Sequence, residues 1–139
     1  MYNVDEIDPN SLFPDGVSPH GRSTRAPAIG KHGMVASAHP YASQAGLDVL
    51  RDGGNAIDAA VAVAAMLNVA EPYMSGVGGI GIAMGYIAKE KRTRILNFSG
   101  HAPNAAHPEM YDNLNAESGP ISPLVPGNVS GWTTLHDTY

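Results

Sequence analysis

The chain has 139 residues, a net charge of −5 and no cysteine. That length holds one domain of ordinary size, and an apolar content of 43% is enough to bury a core. Its eight Lys plus Arg are scattered, which excludes the basic stripe of a nucleic-acid surface. The missing cysteines exclude disulfides, thiolate metal sites and a cysteine nucleophile.

Residues 1–32 are rich in Pro, Gly, Ser and charge, with Pro9, Pro14, Pro19 and Pro27 recurring. They predict an extended, poorly ordered lead-in before a domain over residues 33–139. Neither the basic start nor the apolar middle of a secretory signal is present. The expected location is therefore the cytoplasm, unless the natural start lies upstream. The most apolar run, Ala56 to Ala70, contains Asp58 and falls short of the roughly twenty residues of a membrane span.

Met34-Val-Ala-Ser37 predicts a short buried strand. Pro40 suits the first turn of a helix, where its missing N–H is harmless, and Gly53-Gly54 ends that helix. Asn55 caps a second helix over Ala56–Val69, with Asp58 near the positive end of the dipole. That helix is apolar nearly all round, so burial on most sides is expected, and its alanines permit close neighbours. Next come the glycine-rich Ser75-Gly-Val-Gly-Gly-Ile-Gly81 and an alternation of Ile80, Ile82, Met84 and Tyr86 with Gly81, Ala83 and Gly85. Alternation with a period of two predicts a strand with one bulky and one small face. Lys89-Glu-Lys-Arg92 is a charged turn, and Thr93–Phe98 completes a β-hairpin. The small face implies unusually close packing there. Residues 99–139 have the composition of loops.

Several motifs carry less than their spacing promises. Gly76-Val-Gly78-Gly-Ile-Gly81 has the spacing of a dinucleotide fingerprint, but a helix precedes it and a strand follows, the reverse of what phosphate binding needs. No Gly-Lys-Ser/Thr loop is present. His101 and His107 fit no common zinc spacing, so no metal site is expected. Asn97-Phe-Ser99 and Asn128-Val-Ser130 fit the glycosylation triplet, a short pattern that chance produces.

A set of landmarks in order carries a family resemblance. Gly33-Met-Val-Ala-Ser-Ala-His-Pro40, Leu50-Arg-Asp-Gly-Gly-Asn-Ala-Ile-Asp-Ala-Ala60, Glu71-Pro-Tyr-Met-Ser-Gly-Val-Gly-Gly79, Leu96-Asn-Phe98, Ala102-Pro103 and Val125-Pro-Gly-Asn-Val-Ser-Gly131 resemble the amino-terminal part of the γ-glutamyltranspeptidase large subunit. The resemblance implies an α/β (α+β) fold, a piece of the four-layer αββα sandwich of N-terminal-nucleophile hydrolases that is incomplete in this chain. It implies an enzyme that transfers or hydrolyses γ-glutamyl amides such as glutathione, without a cofactor. The nucleophile is a threonine freed by self-cleavage, whose own amine serves as base. That threonine is expected beyond Tyr139, so no catalytic residue is assigned within the chain, and the chain alone is expected to be inactive. Thr24, Thr93, Thr133, Thr134 and Thr138 match none of the nucleophile's surroundings. The partners implied are a small amide substrate and the remainder of the same polypeptide with its small subunit.

Within the landmarks one position departs from the family. An arginine usually follows the Leu-Asp-Phe landmark and grips the substrate α-carboxylate, a task suited to its planar fork. Here the landmark is Leu96-Asn97-Phe98 and the next residue is Ser99. Ser99 is the candidate substrate-binding position, and strand alternation aims Arg92 and Arg94 elsewhere. The alternatives are an amidohydrolase or acylase of a non-γ-glutamyl amide, and a small binding protein without enzymatic activity.

Overall fold

The computed structural model describes residues 28–111 and 118–139. Most of the lead-in expected over residues 1–32 lies outside them; its described part, residues 28–32, is exposed and forms no helix or strand. The unit formed by His32–Tyr139 contains α1 (Pro40–Arg51), α2 (Ala56–Ala70), β1 (Gly81–Ile87), β2 (Arg92–Phe98), one turn of 3-10 helix (Pro108–Met110) and α3 (Asn128–Thr138).

Helix ends follow local chemistry. The His39 ring nitrogen accepts from the Tyr41 N–H at the start of α1, and Pro40 takes the first turn. At the other end Gly53 adopts φ +96°. The Gly54 and Gly53 N–H groups return to the carbonyls of Val49 and Leu50, which satisfies the last turn. Asn55 Oδ1 accepts from the N–H groups of Ile57 (2.7 Å) and Asp58 (3.2 Å), while Asp58 Oδ2 accepts from the Asn55 N–H at 3.0 Å. This reciprocal cap starts α2. The Asn55 N–H, with His136 beside it, holds the Asp58 carboxyl below its usual range.

Helices α1 and α2 meet through small residues. Ala42, Gly46 and Ala59 are buried at the crossing, and a Cβ on Gly46 would stand 2.7 Å from Val63 and 3.0 Å from Val35. Such a fit leaves no room for a larger side chain. β1 and β2 form a two-stranded antiparallel hairpin with Gly81 opposite Phe98 and Ile87 opposite Arg92. Lys91 takes a positive φ of 52° in the turn. Glu90 accepts from Arg92 Nε (2.9 Å) and Arg94 Nε (2.7 Å).

Three expectations are corrected. Met34–Ser37 is not a strand. A strand requires a ladder partner, and among the described residues the backbone of this segment finds none. The segment instead sends Val35 against α1. Residues 99–139 are not all loop, since α3 occupies Asn128–Thr138. Finally, α2 is not buried on most sides: Ala59 alone is buried and Val69 is 78% exposed.

The hairpin explains why so little is buried. Its small face, Gly81, Ala83 and Gly85, is the covered one, with the Phe98 ring over Gly81 and Ile57 of α2 against Gly85. The bulky face is open: Ile82, Met84, Tyr86 and Ile95 are 66%, 74%, 66% and 68% exposed. An isolated hairpin is marginal in water, and a contiguous apolar face of this kind self-associates or binds other surfaces. The 139-residue chain by itself is therefore expected to bind a hydrophobic dye strongly or to sediment as aggregates. A monomeric, dye-silent chain that unfolds cooperatively would contradict this.

Candidate substrate-binding cleft

Phe98 organises the end of the hairpin. Its ring lies between Gly81 on the neighbouring strand and Gly131 on α3, and its carbonyl lies against Gly127. Any Cβ at these three glycines would collide with Phe98. Gly100 follows with φ +78°, its α-carbon turned toward the Val125 carbonyl. This conformation needs glycine. The chain leaves β2 through Ser99 and Gly100, and the Val125 N–H closes back on the His101 carbonyl at 3.0 Å.

The glycine-rich segment is tied to the start of α3. The Gly79 carbonyl accepts from both the Gly127 and Asn128 N–H groups, each at 3.0 Å. Asn128 is buried, and its Nδ2 donates to the Gly76 carbonyl at 2.7 Å. These bonds occupy N–H groups that a helix start leaves without partners. They also give the glycines separate duties. A Cβ on Gly79 would meet Asn128 at 2.7 Å, whereas Gly76 and Gly78 face open space. Close packing is thus found at Gly79 and Gly81 and not at Gly78.

Between the end of β2 and α3 lies a cleft of about 420 Å³, lined by Asn97, Ser99, His101, Ser130 and Thr134 among others. Ser99 is half-buried at its edge. The Ser99 N–H and Oγ both donate to Asn97 Oδ1, at 3.0 Å and 2.6 Å. Neither Lys nor Arg lines the cleft among the described residues. Arg92 and Arg94 are on the other face of β2, engaged by Glu90, as the alternation predicted. A second cleft of about 450 Å³ lies between the hairpin, α2 and α3 and is largely apolar, with Ile57, Val61, Leu96 and Trp132 in its wall.

Other candidate chemistry is absent from the described residues. No group of His, Asp and Glu is arranged to hold a metal. His107 pairs with Glu109 at 2.9 Å on the surface. No described helix is long and apolar enough to cross a membrane. The hydroxyls of Thr133, Thr134 and Thr138 donate to the carbonyls of Val129, Ser130 and Thr134, one turn back in α3. Thr24 lies outside the described residues. Sequence reasoning missed Asn128 and the Asn97–Ser99 bond. Asn128 stood in the sequence within a family landmark and a glycosylation triplet, neither of which marks the buried position it occupies in the fold.

Comparison with known proteins places this arrangement in a class. The backbone matches the crystal structure of Helicobacter pylori γ-glutamyltranspeptidase with a TM-score of 0.75 and 35% identity, over 82% of this chain and 34% of that one. Its fold is thus a partial N-terminal-nucleophile hydrolase sandwich of α/β type. The sequence profile of the Gamma-glutamyltranspeptidase family matches residues 42–139, and the chain belongs to that family. It is 49% identical over 119 residues to the Glutathione hydrolase proenzyme of Bacillus subtilis (strain 168), covering 80% of this chain and 20% of the relative. It is 41% identical over 121 residues to the Acylase ACY 1 proenzyme of Pseudomonas sp. (strain SE83), covering 78% of this chain and 22% of the relative. The chain thus spans about one fifth of the length of these relatives.

Proposed function

We propose that this chain is the amino-terminal segment of a proenzyme that hydrolyses or transfers the acyl group of a small amide. The observation that carries this reading is the family match over residues 42–139; two of that family's landmarks, Leu96-Asn-Phe98 and the Val125 to Gly131 stretch, line the cleft. The nucleophile of such an enzyme is an amino-terminal threonine freed by self-cleavage in the segment that follows residue 139. Its amine takes the hydroxyl proton, the oxygen attacks the amide carbonyl, and the amine of the substrate leaves with a proton. Water or a second amine then resolves the acyl-enzyme. Residues 1–139 supply no part of that attack. Their contribution is the wall against which the acyl group is held, with Ser99 at the position of the carboxylate-binding arginine, and alone they are inactive.

Glutathione-type γ-glutamyl amides are the substrates that the family name and the Bacillus subtilis relative suggest. A specific observation favours a second reading. The cleft at Ser99 contains no Lys or Arg among the described residues, so neither of these side chains is there among them to neutralise an α-carboxylate. An acylase of an uncharged amide suits such a cleft better, since burying an unpaired carboxylate is costly.

The test of the general reading is maturation. The full-length protein is expected to separate into two polypeptides, seen as two intact masses, the smaller beginning with threonine. The matured protein should release nitroaniline from at least one acyl anilide. A product that stays uncleaved and inert toward every anilide would leave a binding protein as the better account.

A further inference from the structure

We infer that Asn128 is a positioning residue for the acyl cleft. Through its bond to the Gly76 carbonyl it fixes how far the first turn of α3 stands from the end of β2, and so which acyl groups the cleft admits. The inference rests on the amide-hydrolase reading above and adds a determinant of acyl specificity. Among the described residues the lining of the cleft comes from two stretches, 96–101 at the end of β2 and 125–134 at the start of α3. The width of the cleft is the separation of these two stretches. One backbone bond ties them directly, from the Val125 N–H to the His101 carbonyl at 3.0 Å. Farther along α3 the Phe98 ring lies against Gly131, a contact that resists approach far more steeply than withdrawal.

What stops withdrawal is the glycine-rich turn. The Gly79 carbonyl accepts from the Gly127 and Asn128 N–H groups, but two bonds that converge on one oxygen leave a pivot. The Asn128 side chain supplies a second anchor. It is buried and reaches the Gly76 carbonyl at 2.7 Å; a carbonyl only accepts, so Nδ2 is the atom that meets it. Both anchoring carbonyls belong to one turn, closed by the bond from the Gly79 N–H to the same Gly76 carbonyl at 2.9 Å. That turn is in turn fastened to the end of α2. Ser75 Oγ donates to Asn68 Oδ1 at 2.7 Å, and the Ser75 N–H donates to the Glu71 carbonyl at 3.0 Å. Without the Asn128 bond, α3 can tilt about the Gly79 carbonyl away from Phe98. Ser130 and Gly131, which line the cleft, would move with it. Asn128 is outside the lining and acts through the helix turn it holds. A misplacement of about 1 Å in a binding wall can cost on the order of a hundredfold in rate.

The experiment uses two acyl nitroanilides in the full-length, matured enzyme, one with a straight acyl chain and one with the same chain carrying an added methyl branch. The readout is the ratio of their kcat/KM values, in which differences in the amount of matured enzyme cancel. Wild type should favour the straight chain. Asn128→Ala keeps the backbone bonds to Gly79 and removes the second anchor. The ratio should fall about tenfold, the discrimination that one methyl group supplies in a fitted pocket. A second ratio serves as control: nitroaniline against aminomethylcoumarin as leaving amine on the straight chain. It should stay nearly unchanged, because the leaving amine is not held by this wall. An acyl ratio that Asn128→Ala leaves intact, or one that falls together with the leaving-amine ratio, overturns the positioning role and spares the amidase reading. So does a wild type that hydrolyses both acyl groups equally. Should Asn128→Ala give no matured enzyme, Asn128→Ser is assayed by the same two ratios. Failure of both to mature would make Asn128 a residue of folding alone and overturn the inference. A wild type inert toward all of these amides and toward a γ-glutamyl anilide overturns the amidase reading and this inference together.

Discussion

Replacement of Ser99 by arginine in the full-length enzyme is expected to raise kcat/KM for a γ-glutamyl anilide by ten- to a hundredfold. A guanidinium that clamps a carboxylate through charge-assisted hydrogen bonds contributes about 1.5–3 kcal/mol. Each 1.4 kcal/mol is about a factor of ten in binding. The cleft beside Ser99, about 420 Å³, has space for the longer side chain, and Ser99 already lies at its edge. The neighbours limit how the change can be made. Gly100 must remain glycine, since its φ of +78° and the nearby Val125 carbonyl admit no Cβ. His101 ties its carbonyl to the Val125 N–H. The arginine must therefore enter from position 99 with the backbone as it stands. The measurement is kcat/KM for the γ-glutamyl anilide and for its decarboxylated analogue, in wild type and in Ser99→Arg. Arginine should raise the first value and leave the second nearly unchanged. If wild type already prefers the γ-glutamyl compound a hundredfold, the altered-acyl reading is wrong and another group holds the carboxylate.

How much of this was legible in the sequence depends on the range of the forces involved. The ends of α1 and α2 were, because the Pro40 start, the Gly53 stop and the Asn55–Asp58 cap are set within four residues of one another. The hairpin was, because alternation and a charged turn are local. α3 was not. Its sequence, Asn128-Val-Ser-Gly-Trp-Thr-Thr-Leu-His-Asp-Thr138, is rich in weak helix formers and has no side-chain cap. What holds it is tertiary: the Gly79 carbonyl on its first N–H groups, Phe98 against Gly131, and Leu135 buried beneath. The strand expected at Met34–Ser37 failed for the opposite reason. An apolar run states a preference, but a ladder needs a second strand. The apolar character of α2 and of Ile82, Met84 and Tyr86 was plain, yet these 139 residues leave it largely uncovered. At the cleft, Ser99 was found by its place in the landmarks. Asn128 gains its place from a bond that only the fold creates, to the Gly76 carbonyl 52 residues back, whereas the Asn97–Ser99 bonds are local, spanning two residues.

Gly131→Val is expected to abolish folding of the full-length protein, whereas Gly78→Val should leave soluble, matured protein at wild-type levels. The contrast separates crowded glycines from those that merely sit in a turn. A Cβ at Gly131 would overlap the Phe98 ring. That ring cannot retreat toward β1, because a Cβ at Gly81 would itself stand only 2.6 Å from it. Nor can α3 move away freely, since Asn128 and Gly127 are pinned to Gly79 and Gly76. Overpacking a core commonly costs about 1–3 kcal/mol even where neighbours can shift, and here they are held on both sides. Held neighbours push the cost above that range, toward the lower end of the roughly 5–15 kcal/mol that typically separates folded from unfolded chains. A Cβ on Gly78 would meet nothing within 4 Å and its φ is not positive, so a side chain there is accommodated. The diagnostic step is a second substitution. Shrinking the ring in Gly131→Val with Phe98→Ala opens the space that valine needs and should return part of the soluble, cleaved protein. The assay is the yield of the two matured polypeptides in the soluble fraction for each variant. Wild-type yield from Gly131→Val alone would show that the Phe98 cradle is not a tight fit. Equal loss in the single and double variants would show that the damage lies elsewhere than at the ring.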